Sequence, residues 1–354
     1  MRDNVEKKIT ILLVIKDRPE FSIRWLEYAN QIKIPFDIFI ADGSSCNNFS
    51  KKLDKSLFKD IKFRYKYFGF DDSPKTFYRK ILSALYMITT DYIMLADDDD
   101  FLIPSSIISS AIFLESNPGY SACGSYYAGI FPKNNQIFYL KDYSLKTSSV
   151  PNRSYEQEDG LERIVDCFED FRSIHYDLYR RDTILKAYKD LCHSSVDDLF
   201  LHEYFLAASY LAQGKLKKCN GISLVRQHEN PLSSFSALSL MQDNDSQSNL
   251  ELLKQKLPDF YKHLSLTVNI DKELLKEKLE ASIVNIFLQG SAIKVQKSLK
   301  SRVFLYMRSP TALFTYLKAK FLVISINKNK SNIFNLFMPT YHKLKDIIRF
   351  FKNY

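Results

Sequence analysis

Glycine is scarce in this 354-residue chain, with nine in all, and with only eleven prolines beside them a collagen-like or linker-rich protein is excluded. Cysteine is also sparse and odd in number. Cys46, Cys123, Cys167, Cys192 and Cys219 show no metal-binding or redox-motif spacing, which points to buried thiols in a reducing compartment rather than a disulfide framework. Long apolar runs are missing too. None approaches about 18 residues, and the longest near the C-terminus runs from Phe321 to Ile326, so no segment is expected to span a bilayer. The opening MRDNVEKKIT is polar and leads straight into a strand pattern, so no secretory signal is expected. No G-x-G-x-x-G, Walker loop, G-x-S-x-G elbow or H-E-x-x-H occurs, which sets aside those nucleotide, hydrolase and zinc-protease chemistries.

What is present is 45% apolar, 14% aromatic and 26% charged, the composition of a folded globular protein large enough for one big domain or two smaller ones. Charge is unevenly placed. Residues 291–354 carry thirteen Lys or Arg against one acid, Asp346, a net +12 that leaves −3 for the rest of a chain whose total is +9. Basic residues there alternate with Phe, Tyr, Leu and Ile, which suits helices lying on an anionic membrane surface. A helical subdomain packed on the body with a solvated basic face is the competing reading. No nucleic-acid motif accompanies the charge, so no nucleic-acid partner is expected.

The first hundred residues alternate strand and helix. ITILLVI at 9–15 is continuously apolar and β-branched, as a strand buried on both faces would be, and apolar residues at helical spacing follow Pro19. FDIFIA at 36–41 ends in Asp42-Gly43-Ser44-Ser45, and a third strand is expected over about 61–68. Asp71-Asp72-Ser73-Pro74 then opens a helix over about 75–89. YIMLA at 92–96 empties into Asp97, Asp98, Asp99 and Asp100. This order predicts an α/β fold with a Rossmann-like, mostly parallel sheet flanked by helices. Such sheets bind ligands beyond the carboxyl ends of their strands, so Asp17, Asp42 and the Asp97–Asp100 group should converge on one crevice.

Four adjacent carboxylates resist joint ionisation, and a divalent cation removes that conflict. Hard oxygen ligands favour magnesium or manganese, often shared with a substrate phosphate. Strand alternation turns Asp97 and Asp99 one way and Asp98 the other, which makes Asp97-x-Asp99 the natural ligand pair. An acidic turn capping the helix after Pro104 is the alternative.

These segments, in this order, resemble the nucleotide-binding half of a family 2 type glycosyltransferase of the GT-A fold. The pieces are Lys16-Asp17-Arg18-Pro19, Asp42-Gly43-Ser44, and Asp97-Asp98-Asp99-Asp100 with Leu102 and Pro104, and the match covers about residues 8–105. The resemblance implies a GT-A catalytic domain over 1–238, divided into a nucleotide-binding half (1–105) and an acceptor half (106–238). A linker at 239–250 and a helical C-terminal region at 251–354, basic from 291, would follow. It implies donor nucleotide contacts from Asp17, Arg18, Asp42, Asp97 and Arg226, and a Mn2+ or Mg2+ site of Asp97, Asp99 and His228. Asp42-Gly43 is also an ordinary turn, and Arg18 and His228 could be plain loop residues.

Ser194-Ser195-Val196-Asp197-Asp198-Leu199 resembles the family's Glu-Asp acceptor-side motif, so Asp198 aligns with the general base and Asp197 with a residue that steers it. Two acids at a helix N-terminus would also complement the helix dipole. Arg226-Gln227-His228 resembles the closing Arg-x-His segment, with Arg226 as a diphosphate partner. The expectation is an inverting sugar transfer from a nucleotide-sugar donor, a UDP-sugar favoured, to a hydroxyl of a bacterial surface glycan or lipid-linked acceptor. That places the protein in polysaccharide or lipopolysaccharide biosynthesis, cytoplasmic and peripheral on the inner face of the membrane. The alternative class is a catalytically inactive GT-A domain acting as a membrane-associated assembly or binding protein.

Overall fold

The computed structural model describes residues 2–131, 136–139, 153–171, 173–227, 246–295, 346–347 and 350. His228, the linker as far as residue 245 and most of the basic C-terminal region lie outside the described residues. The chain begins α1 (Arg2–Glu6), β1 (Ile9–Ile15), α2 (Pro19–Gln31), β2 (Asp37–Asp42), α3 (Asn48–Lys52), β3 (Lys62–Tyr67) and α4 (Pro74–Met87). It continues β4 (Tyr92–Asp97), β5 (Asp100–Leu102), α5 (Pro104–Ser116), β6 (Tyr120–Phe131), β7 (Gln136–Tyr139), α6 (Gly160–Glu169) and β8 (Leu178–Arg180). Then come α7 (Arg181–His193), α8 (Leu199–Gln213), β9 (Lys215–Gln227), α9 (Ser246–Val268) and α10 (Lys272–Val295).

The strands form one sheet in the order β3-β2-β1-β4-β8-β6-β9-β5, with β7 also paired to β6. From β3 to β4 every pairing is parallel, as the alternating sequence predicts. Beyond β4 the sheet is mixed: β8 runs antiparallel to both β4 and β6, β6 is parallel to β9, and β5 is antiparallel to β9.

The apolar runs of β1 and β4 are explained by cover on both faces. Leu12, Val14, Ile93 and Leu95 join the core beneath α4, α7 and α8, whereas Ile11, Leu13, Met94 and Ala96 join the core beneath α2 and α5. Each of these Leu, Val, Ile and Met side chains contributes about 1.5–3 kcal/mol when fully buried. β3, at the edge, reads KFRYKY and is largely exposed, with its lysines discouraging pairing with another chain. Pro19, Pro74 and Pro104 sit at the first turns of α2, α4 and α5, where a missing N–H costs nothing. Ser73 closes a capping box with Thr76 at the start of α4.

Apolar all round, α8 is buried between the sheet and a helical hairpin of α9 and α10. Leu253, Leu257, Phe260 and Leu264 of α9 and Leu275, Leu279, Ile283 and Phe287 of α10 belong to the same core as the sheet. Ser246 to Leu250, expected as the end of the linker, form the first turn of α9. Their polar composition hides a helical stripe that begins at Leu250 and continues through Leu253 and Leu257. Near the C-terminus, Ile347 and Phe350 pack on Tyr28 of α2 and Phe101 of β5.

Candidate active site

The carboxyl ends of β1, β2 and β4 share one rim because their registers are flush: Ile15 lies opposite Asp42, and Val14 opposite Asp97. Asp98 and Asp99 form the turn after β4, and Asp100 opens β5. One carboxylate oxygen from each of Asp97, Asp99 and Asp100 lies within 4.8 Å of the others. Among the described residues this is the cluster able to hold a metal ion. Asp98 turns the other way, as alternation predicts. Its oxygens accept from the Arg18 guanidinium and, at 2.8 Å, from the Ser22 hydroxyl.

The expected ligand pair of Asp97 and Asp99 is therefore brought together, and Asp100 joins it as a third acid. Asp100 is 1% exposed. Neither of its oxygens accepts a hydrogen bond among the described residues, although Arg226 Nε lies 3.3 Å from Oδ1. Desolvation pushes its carboxyl well up, against the pull of Arg226. Asp97 is raised by desolvation and by Asp99, with Arg226 and the Tyr176 hydroxyl opposing. The Tyr176 hydroxyl donates to Asp97 Oδ2. Burial lifts Asp98 to about 7, against Arg18.

Two arginines offset these acids. Arg18 reaches Asp98 and, at 2.9 Å, Asp99 Oδ2. Arg226 stands opposite Asp100 in the β5–β9 register, lies 3.7 Å from Asp97 Oδ2, and stacks on the Tyr176 ring at 4.6 Å. Arg18 thus belongs to the carboxylate cluster rather than to a solvated loop.

The second group surrounds Asp42, which is fully buried. Asp42 Oδ1 accepts from Ser44 N–H at 2.9 Å and Oδ2 from the Tyr65 hydroxyl at 2.8 Å. Asp17, at φ +53°, knits this turn: its Oδ1 accepts from the Ser45 N–H and hydroxyl at 2.8 and 2.7 Å, and its N–H donates to Ser44 Oγ at 2.8 Å. Gly43 has no room for a side chain, because a Cβ there would lie 1.9 Å from Asp71 Oδ2. Asp71 is itself buried and pairs with Lys80 of α4 at 2.5 Å, and Lys80 also donates to the Ile15 carbonyl at 3.2 Å. Burial raises the Asp71 carboxyl and lowers the Lys80 ammonium, and each partner opposes the other's shift.

The acceptor-side pair splits. Asp198 is buried and caps α8, with Oδ1 accepting from Phe200 N–H at 2.9 Å and Leu201 N–H at 3.3 Å. Asp197 is exposed and pairs with Lys256 of α9 at 2.6 Å. His202 Nε2 lies 2.8 Å from the Val196 carbonyl, which braces the loop before Asp198. The Tyr78 ring of α4 packs on His202 at 4.6 Å. Desolvation raises the Tyr78 phenol, and the charges of Glu203, Asp198 and Asp97 add to it. His175, from the loop before β8, is pushed down to about 4 by desolvation, Glu203 opposing and Arg226 adding.

Sequence reasoning placed Asp100 in the acidic group at the rim without counting it as a ligand, and it assigned none of Asp71, Lys80, Tyr65 and Tyr176 to that group. Lys80 carried a readable signal, since it falls on the apolar stripe of α4 with Phe77 and Ala84.

No family model and no curated protein matches the chain. Solved structures do. S. aureus TarS 1–349 in complex with UDP-GlcNAc superposes with a TM-score of 0.52 at 10% identity, over 97% of this chain and 89% of that one. The fold is that of a GT-A glycosyltransferase. S. aureus TarS as a longer chain gives a TM-score of 0.46 at 11% identity over 98% of this chain, which spans 52% of it. The mannosyltransferase PcManGT from Pyrobaculum calidifontis, in complex with GDP-Man and Mn2+, gives 0.42 at 11% identity over 92% and 88%. The Asp97–Asp100 and Asp42 groups lie at the carboxyl rim of the parallel strands of this fold.

Proposed function

We propose that this chain is a metal-dependent, inverting glycosyltransferase that moves a sugar from a nucleotide-sugar donor, a UDP-sugar favoured, to a hydroxyl of a bacterial surface glycan or lipid-linked acceptor. The observation that carries the reading is the meeting of Asp97, Asp99 and Asp100 at the rim of the parallel strands. The buried Asp100 carboxylate, with no hydrogen-bond donor of its own, fits a cation. Asp97, Asp99 and Asp100 would hold Mn2+ or Mg2+; His228, proposed as a further ligand, lies outside the described residues. When bound, the ion supplies positive charge to the departing nucleoside diphosphate.

The chain's own residues do the rest. Asp42 and Asp17, fixed by the Gly43-Ser44-Ser45 turn, orient the nucleotide at the end of β2. Arg18 and Arg226 set positive charge beside the phosphates as the glycosidic bond breaks. Asp198 takes the proton of the attacking hydroxyl. Two backbone N–H groups at the start of α8 hold its carboxylate in place. Asp197 secures that loop through Lys256 rather than touching the acceptor.

Incubation with a panel of nucleotide sugars, with and without manganese, tests the reading by mass spectrometry of the nucleotide product. Metal-dependent release of nucleoside diphosphate is expected from at least one donor, and release from none would refute it.

We place the protein at the inner face of the cytoplasmic membrane, held by the basic C-terminal region. Among the described residues no helix is long and apolar enough to cross a membrane. The +12 charge of residues 291–354 supports surface attachment. Removing those residues should abolish co-sedimentation with anionic liposomes; equal pelleting of both forms would contradict it.

A further inference from the structure

The chain carries five cysteines, and two of them meet. The sulfurs of Cys123 on β6 and Cys219 on β9 lie 3.6 Å apart. The register explains why. Cys123 is opposite Lys217, so Cys219 sits two residues beyond that partner and projects from the same face of the sheet. Past this point β6 advances from Gly124 to Tyr126 while β9 advances from Lys218 to Ile222. Three residues, Cys219-Asn220-Gly221, thus face the single Ser125 and form a bulge, with Gly221 at φ +119°. A bulge is not tied residue by residue to its neighbour, which gives Cys219 a freedom of approach that a regular ladder would deny.

The two thiols are unlike. Cys123 is buried and Cys219 is partly exposed. The Cys123 thiol beside it brings Cys219 down to about 7, whereas the bond to Cys219 and burial push Cys123 up. One sulfur is therefore reachable from solvent, and the other is shielded.

We propose that Cys123 and Cys219 form a reversible redox site, an oxidisable dithiol in which Cys219 reacts first and Cys123 resolves. The Cys219 thiolate attacks a peroxide, here hydrogen peroxide. The O–O bond breaks, a sulfenic acid forms, and the hydroxide released takes up a proton to become water. The Cys123 sulfur then attacks the Cys219 sulfur, the S–O bond breaks, and the oxygen leaves with the Cys123 proton as a second water. Two thiols lose two electrons and two hydrogens, and the sulfurs close to about 2 Å. Lys218, next to the bulge, pairs with Asp177 at 2.6 Å, and Asp177 follows Tyr176, the residue that holds Asp97.

The test uses the full chain with Cys46→Ser, which removes the exposed thiol and leaves four. After stoichiometric hydrogen peroxide, the protein is denatured, blocked with a maleimide and weighed intact. Two of the four thiols should have become unreactive, the mass before blocking should fall by two hydrogens, and a non-reducing digest should hold one peptide linking positions 123 and 219. Dithiothreitol should restore all four thiols, and adding Cys219→Ser should abolish the link. Four reactive thiols after peroxide would overturn the proposal. So would oxygen addition without a link, or a link through Cys167 or Cys192.

Discussion

The carboxyl rim of the parallel strands, the proposed donor side, crowds its acids together, whereas Asp198 at the start of α8, the proposed acceptor-side base, stands apart and is satisfied by backbone. Asp97, Asp98, Asp99 and Asp100 repel one another, and Arg18 and Arg226 offset only part of that repulsion. Asp198 accepts two N–H bonds from the start of α8. The two arrangements suit different work: a crowded set of hard oxygens is disposed toward a divalent ion, and a capped carboxylate toward a proton.

Asp99→Ala should break the donor side most. Removing one ligand of the three should lower transfer by at least about 10³-fold, with little loss of stability because Asp99 lies on a partly exposed turn. Steady-state assays across a manganese titration would check it, and unchanged transfer would exclude the metal assignment. On the acceptor side, Asp198→Asn is the sharper probe, because asparagine caps a helix about as well as aspartate. The cap survives while the base is lost. Turnover should fall by roughly 10²–10⁴-fold with nucleoside diphosphate binding nearly unchanged, read by kinetics and calorimetry.

The donor side was the more legible half, for a physical reason. Strands covered on both faces, such as Ile9–Ile15 and Tyr92–Asp97, are apolar at nearly every position before their carboxyl ends, so local sequence reports them. Asp98 points away from Asp97, as expected, although it lies in the turn beyond β4. Asp100 could not be read that way, because the Asp98–Asp99 turn ends β4 and β5 restarts against β9. The facing residue, Arg226, comes from far downstream. The mixed half of the sheet stayed obscure for the same reason: β6, β8 and β9 are defined by distant partners and by a bulge, not by a local period. At the acceptor side, Asp197-Asp198 was visible as a pair, but only the packing of α9 shows that Asp197 faces Lys256 and Asp198 faces inward.

Lys80→Met tests whether acids beneath the donor rim depend on cations of the protein as well. Asp71 and Lys80 are both almost wholly buried, at 2% and 1% side-chain exposure, so methionine keeps the bulk and strands the acid. Losing one partner of such a pair costs about 3–5 kcal/mol. Urea unfolding monitored by circular dichroism should show that drop. Lys80→Met with Asp71→Asn should recover part of it, since the stranded charge is then gone. A single variant as stable as the parent would mean that the pair does not hold the Gly43–Asp71 contact in place.

Lys256→Ala should have the smallest effect of all, and it separates the two acceptor-side acids. The Asp197–Lys256 pair is solvent-facing, with the Asp197 side chain 73% exposed, and pairs of that kind are worth about 0–1 kcal/mol. If Asp197 only secures the loop, turnover should stay within about threefold of the parent, because the Asp198 cap and the His202–Val196 bond still fix the backbone. The same variant assayed in high salt should differ even less from the parent, since screening already weakens an exposed pair. A loss of turnover comparable to that of Asp198→Asn would instead make Asp197 part of the acceptor machinery and erase the division between one buried, working acid and one exposed, supporting acid.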